Sequence, residues 1–381
     1  MKEDRSVKKH LYIFFCILIP IFEKLNENSP KVKLIMNTFL RLSTVLSFAI
    51  SFYNCSSFAQ EKEKYAAQID SIVKTANPAF NGVILIIKNG KNVYTKAHGL
   101  ANFESKKALK TDSQFEIMSN TRQITAVLIL KEVEQGKIDL QSPIKKYLPQ
   151  LTQSWADSVT VHQLLNHTHG IIDVEKPLLF KPGTEFKYGD LGYSLLGQII
   201  ENTTQKKYSE IADAFFKTLK MKNTFCYDKG KNQQLVSGYE NTNNTFKKVS
   251  ISKITPESIA SNGIVSTAED LAIWNKNLHK GKLLQPASYT LLFKYSIKAQ
   301  HSFFGEEKEG YGYGFRIIEN QPKKYVGHTG LGDGYSSVNI YYPTDDVSMI
   351  VLQNQMNAEK TLFYATEIQI RDLLLKSNLM N

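Results

Sequence analysis

The sequence predicts a mixed α/β (α+β) fold: an antiparallel sheet assembled from both ends of the chain and flanked by helices, with an α-rich lobe inserted between them. Three observations point there. Runs rich in β-branched and aromatic residues cluster near positions 83–97 and again at 312–353. Segments with three-and-four apolar spacing fill the span between, and no internal repeat, low-complexity tract or long linker interrupts it. The 381 residues are 42% hydrophobic and 22% charged, enough apolar material for a large core and two structural lobes. That balance excludes a disordered tail, a collagen-like fibre and a disulfide-stapled mini-domain.

Taken in order, residues 1–59 read as a targeting segment. Leu11 to Phe22 is too short to span a bilayer and contains Pro20. A second start, Met36, is followed by Arg41, an apolar run from Leu42 to Phe52, and Ser57-Phe58-Ala59. A positive residue, a short apolar run and a small–x–Ala end form the layout of a signal peptide over 36–59, with cleavage after Ala59. The protein is thus expected to be exported, periplasmic or secreted, the alternative being a membrane anchor formed by the uncleaved segment. Cys55 lacks the small residues that precede a lipidated cysteine. Removal of 1–59 leaves one cysteine, Cys226, and 39 basic against 32 acidic residues. No internal disulfide can then form, so burial alone must stabilise the core.

The expected domain is 60–381, with a sheet lobe at about 75–112 and 250–381 and a helical lobe at about 113–249. Val83–Lys88 and Asn92–Ala97 around Asn89-Gly90 predict a hairpin. Ile124, Val127, Leu128, Leu130 and Val133 predict a helix over 119–135 with one buried face, stopped by Gly136. Further helices are expected at Val161–Asn166, Gly192–Asn202 and Tyr208–Leu219. Strands are expected at Gly312–Ile318, Lys324–Gly327, Tyr335–Tyr342 and Val347–Gln353, then a last helix over Ala358–Lys376.

Lysines are scattered, and no basic run is interleaved with aromatics, so the net charge of +11 argues for a solvated surface and against nucleic-acid binding. His162, His167 and His169 have no acidic triad or cysteine set beside them, and no metal or other cofactor is expected. Gly330-Leu-Gly-Asp-Gly334 leads into a strand and not a helix, which argues against a phosphate loop. Cys226 reads as a small apolar filler.

Chemistry concentrates in Ser119-Asn120-Thr121-Arg122, Tyr188-Gly189-Asp190 and His328-Thr329-Gly330. Around them stand Phe115-Glu-Ile-Met-Ser119, Gln135-Gly-Lys-Ile-Asp-Leu140, Lys146-Tyr-Leu-Pro149, Leu164-Leu-Asn-His-Thr-His-Gly170, Lys181-Pro-Gly-Thr-Glu-Phe186 and the run Ser261 to Leu271. From about residue 75 onward this ordered set resembles the serine β-lactamase and penicillin-binding protein superfamily, especially its class C-like esterase and peptidase branch. The resemblance implies a β-lactamase/transpeptidase-like fold, an acyl-enzyme on Ser119, and Tyr188 as the group that moves protons. It also implies an oxyanion hole of the Ser119 and Leu331 N–H groups, with Asp190, His328, Thr329 and Gly330 lining the substrate.

Two positions depart from that pattern. Where the family motif has Ser-x-x-Lys, this chain has Ser119-x-x-Arg122, on one helical face by its spacing of three. Arginine does not give up its proton at accessible pH, so Arg122 is an electrostatic group and never the proton acceptor. Where the family has Tyr-x-Asn, this chain has Asp190, and the obvious partner of that carboxylate is Arg122, whose planar fork accepts it bidentately. His328, in place of a lysine, is expected to titrate near neutrality. The resulting expectation is a serine hydrolase acting on an ester, a D-amino-acid peptide or a related amide. The alternative is a catalytically impaired relative that binds a peptide, cell-wall fragment or protein partner in the same cleft. The partner implied is therefore a small-molecule or peptide substrate, with membrane association only through the N-terminal segment.

Overall fold

The structure, a computed structural model, describes residues 62–228, 230, 234–298, 309–319 and 323–380. The expected targeting segment lies outside them. Helix α1 (residues 62–75) precedes a seven-stranded sheet built from both ends of the sequence. Its strands are β1 (Gly82–Lys88), β2 (Lys91–His98), β3 (Gly310–Tyr311), β4 (Arg316–Ile318), β5 (Tyr325–Gly332), β6 (Tyr335–Tyr342) and β7 (Val347–Gln353), in the order β3-β4-β5-β6-β7-β1-β2. Every strand pairing in it is antiparallel, and β1 meets β7 in continuous register from Gly82 opposite Gln353 to Lys88 opposite Val347.

Strands β1, β6 and β7 are buried along most of their length because helices cover both faces. The period of two separates the faces. Ile84 and Ile86 turn with Val338, Ile340, Met349 and Val351 toward Tyr65 and Ile69 of α1 and toward Ile370 and Leu374 of α6 (Ala365–Lys376). Val83 and Leu85 turn with Ile350 and Leu352 toward the larger core. That core is shared with α2 (Thr121–Glu134), α3 (Leu191–Thr204), α4 (Tyr208–Leu219) and α5 (Ala268–His279).

Several expectations need correction. Helix α2 does not bury one face only: every residue from Thr121 to Leu130 is buried, because the sheet and the other helices enclose it. The run 312–318 is not one strand, since Gly314 at φ +72° folds it back between β3 and β4. Strand β5 continues five residues beyond Gly327, carrying His-Thr-Gly inside the sheet. The last helix begins at Ala365 and not Ala358. Gln355–Asn357 is held in a parallel pairing with Tyr239–Asn241, and Tyr364 at φ +60° stops helical geometry from extending backward. Residues 239–248 also form a hairpin, so the end of the expected helical lobe is not helical.

Candidate active site

Ser119 lies in a 3₁₀ turn, Met118–Asn120, directly ahead of α2. It is not a capping residue: Asn120 occupies the N-cap and makes no side-chain cap hydrogen bond. Met118 adopts φ +49°, a conformation a non-glycine residue holds only where its surroundings over-determine it. Those surroundings are visible. The Ile117 N–H donates to Ile264 O (2.9 Å), and the Ser337 hydroxyl donates to Ile117 O (2.7 Å). Asn120 Nδ2 donates to Ser337 Oγ (2.8 Å), and Gln123 Nε2 donates to Asn120 Oδ1 (2.8 Å). A buried polar lacing thus fixes the turn between β6 and the segment Ile264–Ser266. Ser119 itself is left half-buried.

Arg122, the second residue of α2 and about one turn beyond Ser119, is wholly buried. Its guanidinium forks: Nη1 donates to the Tyr188 oxygen and Nη2 to Asp190 Oδ1. The expected bidentate pairing with Asp190 is therefore replaced by a bridge across two residues, set by the short span Tyr188-Gly189-Asp190 that leads into α3. Burial works against the charge of Arg122, but Tyr188 and Asp190 outweigh it and hold the proton more firmly than usual. The guanidinium carbon also stands 4.6 Å from the centre of the Tyr188 ring. A second one, that of Arg316, stands 5.4 Å from the same ring and is paired with Glu309 at 3.0 Å. Sequence reasoning missed Arg316 and Glu309, which carry no motif of their own.

The Ser119 hydroxyl reaches neither Tyr188 nor Arg122 by a hydrogen bond. It donates to Asn262 Oδ1 at 3.3 Å. Asn262 was also missed as a site residue, although it stands in the Ser261-Asn-Gly landmark.

His328, Thr329 and Gly330 lie on β5. Gly330 is pressed on the nucleophile turn so closely that a Cβ there would come within 2.2 Å of Ile117 O. Beyond Gly327, β4 no longer flanks β5, and the stretch carrying Leu331 has no strand neighbour on that side among the described residues. His328 does not titrate near neutrality. It is fully buried, with Nε2 at 3.0 Å from the Tyr311 hydroxyl and Nδ1 at 2.5 Å from Thr329 O. Burial first, then Arg316 and Arg122, push its pKa well below the ordinary value, so it is a neutral structural link and not a substrate anchor. His167 is buried among Tyr188, Tyr193, Phe186 and Tyr311, its ring 4.7 Å from that of Tyr188. His169 Nδ1 accepts from the Ile171 N–H at 2.9 Å, and His162 Nδ1 lies 2.5 Å from the Tyr313 hydroxyl. Burial raises the Cys226 thiol well above its ordinary pKa, which suits a filler.

Comparison with known proteins agrees with this architecture. The sequence profile of the Beta-lactamase family matches residues 69–370. The protein flp of Staphylococcus aureus (strain MW2) is 30% identical over 303 residues, covering 72% of this chain and 59% of its own length. The chain thus spans about three-fifths of the length of that relative. Among solved structures, the octameric penicillin-binding protein homologue from Pyrococcus abyssi superposes with a TM-score of 0.70 at 26% identity, covering 84% of this chain and 78% of that one. A D-amino acid amidase from Ochrobactrum anthropi SV3, complexed with D-phenylalanine, gives 0.69 at 19% identity over 84% and 99%, a likeness of fold alone. With most of its length matched by the family profile and the same sheet-and-helix architecture as penicillin-binding relatives, this chain belongs to the beta-lactamase family.

Proposed function

We propose that the protein is a serine hydrolase that acylates Ser119 with an ester, a D-amino-acid peptide or a related amide. The observation that carries this reading is the hydrogen bond from buried Arg122 to the Tyr188 oxygen. A guanidinium that cannot itself act as a base donates to that oxygen, so Tyr188 and not residue 122 is the group placed to take the Ser119 proton. The Ser119 proton passes to Tyr188 as Ser119 Oγ bonds to the carbonyl carbon. Tyr188 then returns the proton to the leaving oxygen or nitrogen as the old bond breaks. Water, deprotonated by the same oxygen, releases the acid and restores the Ser119 hydroxyl. The N–H groups of Ser119 and Leu331 are the donors assigned to the oxyanion; the close approach of Gly330 to the nucleophile turn supports that pairing.

Asp190 offers the cleft only acceptor oxygens and keeps 61% of its side chain exposed. That favours substrates presenting an N–H or ammonium donor to it over those presenting a carbonyl oxygen there. We extend the reading to export, on the signal-like layout of residues 36–59; N-terminal sequencing of the secreted chain beginning after Ala59 is the expected result.

One observation favours the second reading, a relative that binds without turnover: the Ser119 hydroxyl is engaged by Asn262 and not by Tyr188. Intact-mass analysis of the purified full chain after exposure to a fluorophosphonate, p-nitrophenyl acetate and penicillin separates the two. A covalent adduct that Ser119→Ala abolishes is the expected outcome. An adduct that forms only in the Arg122→Lys/Asp190→Asn variant identifies a disabled base and supports the binding reading.

A further inference from the structure

We propose that Asn262 is a latch on the nucleophile, a hydrogen-bond acceptor that holds the Ser119 hydroxyl in the resting enzyme and must release it before attack. The inference rests on the hydrolase reading and goes beyond it, because that reading gives Asn262 no role in the reaction.

The geometry begins with the placement of Asn262. It is the last residue of a one-turn helix, Ile259–Asn262, and the backbone on both sides of it is tied to the nucleophile element. Before it, Thr125 Oγ1 of α2 donates to Ala260 O at 2.6 Å. After it, the Ile264 N–H donates to Thr121 Oγ1 at 3.2 Å and Ile264 O accepts from the Ile117 N–H at 2.9 Å. These three bonds bracket Ser119 from both directions along its own chain. Residue 262 therefore stands at a fixed distance from the serine, and a side chain of this length reaches Ser119 Oγ, at 3.3 Å.

The chemistry follows from what an amide can and cannot do. A carboxamide oxygen accepts a hydrogen bond but is far too weak a base to take a proton at neutral pH. The Ser119–Asn262 bond exists only while the hydroxyl carries its proton. In the transition state of acylation that proton is on its way to Tyr188, and the bond to Asn262 is lost. An interaction present in the ground state and absent in the transition state slows the step it precedes. Deacylation is different. In the acyl-enzyme Ser119 Oγ is an ester oxygen with no proton to donate, so Asn262 has nothing to hold and the rate of that step is indifferent to it.

The latch therefore predicts an asymmetry that a merely structural role would not produce. Replacing Asn262 by Ala or Gly raises the acylation rate of the full-length enzyme by about two- to tenfold, the range that one ordinary hydrogen bond represents, and leaves deacylation unchanged. Acylation is read from the rate of fluorophosphonate adduct formation by intact mass. Deacylation is read from the steady-state phase that follows the p-nitrophenolate burst. Two variants are used so that misfolding of one, checked by thermal unfolding, does not decide the matter; Asn262→Gln, whose longer amide misplaces the acceptor, should also speed acylation.

Slower labelling in folded Asn262→Ala and Asn262→Gly overturns the latch: the amide then acts through its N–H as a donor in the transition state, while the hydrolase reading stands. Equal slowing of both steps overturns it too, in favour of a structural role. Labelling of the variants but not of the native chain supports the latch in its strongest form. If neither native nor variant is labelled at Ser119, the hydrolase reading and the latch fall together.

Discussion

Arg122 and Asp190 form an ion pair whose two ends live in different solvents, and that asymmetry decides what each substitution does. The Arg122 side chain is 0% exposed and that of Asp190 is 61% exposed. Asp190→Ala leaves a buried guanidinium with tyrosines but no carboxylate to offset it, which costs about 2 kcal/mol or more. Arg122→Met leaves a carboxylate that water can solvate and packs the methionine against the Tyr188 and Tyr193 rings, so it destabilises less than Asp190→Ala does. Activity runs the other way: Arg122→Met removes the donor that holds the Tyr188 oxygen and lowers kcat/KM by about a hundredfold or more. Urea unfolding beside p-nitrophenyl acetate turnover checks both rankings. Equal destabilisation by the two variants would contradict the account. At this scale Ser119, Arg122, Tyr188 and Asp190 were legible because each sits in a short motif. Asn262 and Arg316 were not, because they reach the site only through contacts more than a hundred residues apart in sequence.

The nucleophile turn is held by its neighbours more than by its own sequence. Ser337 on β6 serves both the Ile117 carbonyl and the Asn120 amide, and it is fully buried. Ser337→Ala leaves the Ile117 carbonyl with only the Asn120 N–H (3.2 Å) and the Asn120 amide with only Ser337 O (3.5 Å), and is expected to destabilise the fold by about 1 kcal/mol. The positive φ of Met118 depends on that lacing, so Ser119 labelling should slow as well, measured on the folded fraction. Gly330→Ala tests the same contact from β5. A methyl group 2.2 Å from Ile117 O forces strand and turn apart, and labelling should fall far more than in a control such as Gly230→Ala, whose Cβ meets only Asp228 Oδ1, at 3.5 Å. A Gly330→Ala enzyme with native labelling kinetics would show that the strand and turn need not touch. Amphipathic spacing located α2 closely, but only packing showed it to be buried all round. An Arg, a Gln and two Thr lie within its buried stretch, with hydrogen bonds and an ion pair that no periodicity records.

Over the whole molecule, buried titratable groups set a pH profile for stability. Burial depresses His169 to about 4 and His279 to about 3, and pushes His167 and His328 well below the ordinary 6.5. Below pH 6.5 the unfolded chain binds protons that the native state refuses, so stability falls as pH falls. Burial raises Glu116 to about 8 and Glu367 to about 7. Between 4.5 and those values the native state holds protons the unfolded chain has lost, so stability falls as pH rises. Four histidines outweigh two glutamates on the acid side and release their hold above 6.5. The unfolding free energy should therefore peak near pH 6.5 and drop more steeply toward pH 5 than toward pH 8.5. His279→Gln, at a ring stacked 3.9 Å from Tyr341, should flatten the acid slope alone. A profile flat from pH 5 to 8.5 by urea titration would refute this assignment.

The sequence by itself determined that strands from both ends share one sheet and that helices are inserted between them, and it singled out Ser119, Arg122 and Tyr188 as a candidate site. Those features depend on local spacing and on residue type, which a linear chain displays in full. Tertiary structure alone decided that Arg122 divides its fork between Tyr188 and Asp190, that His328 is neutral and buried, and that Asn262 meets the Ser119 hydroxyl. The charge state of a group and its partner depend on how much water is excluded around it and on which distant segment arrives beside it, and both are properties of packing.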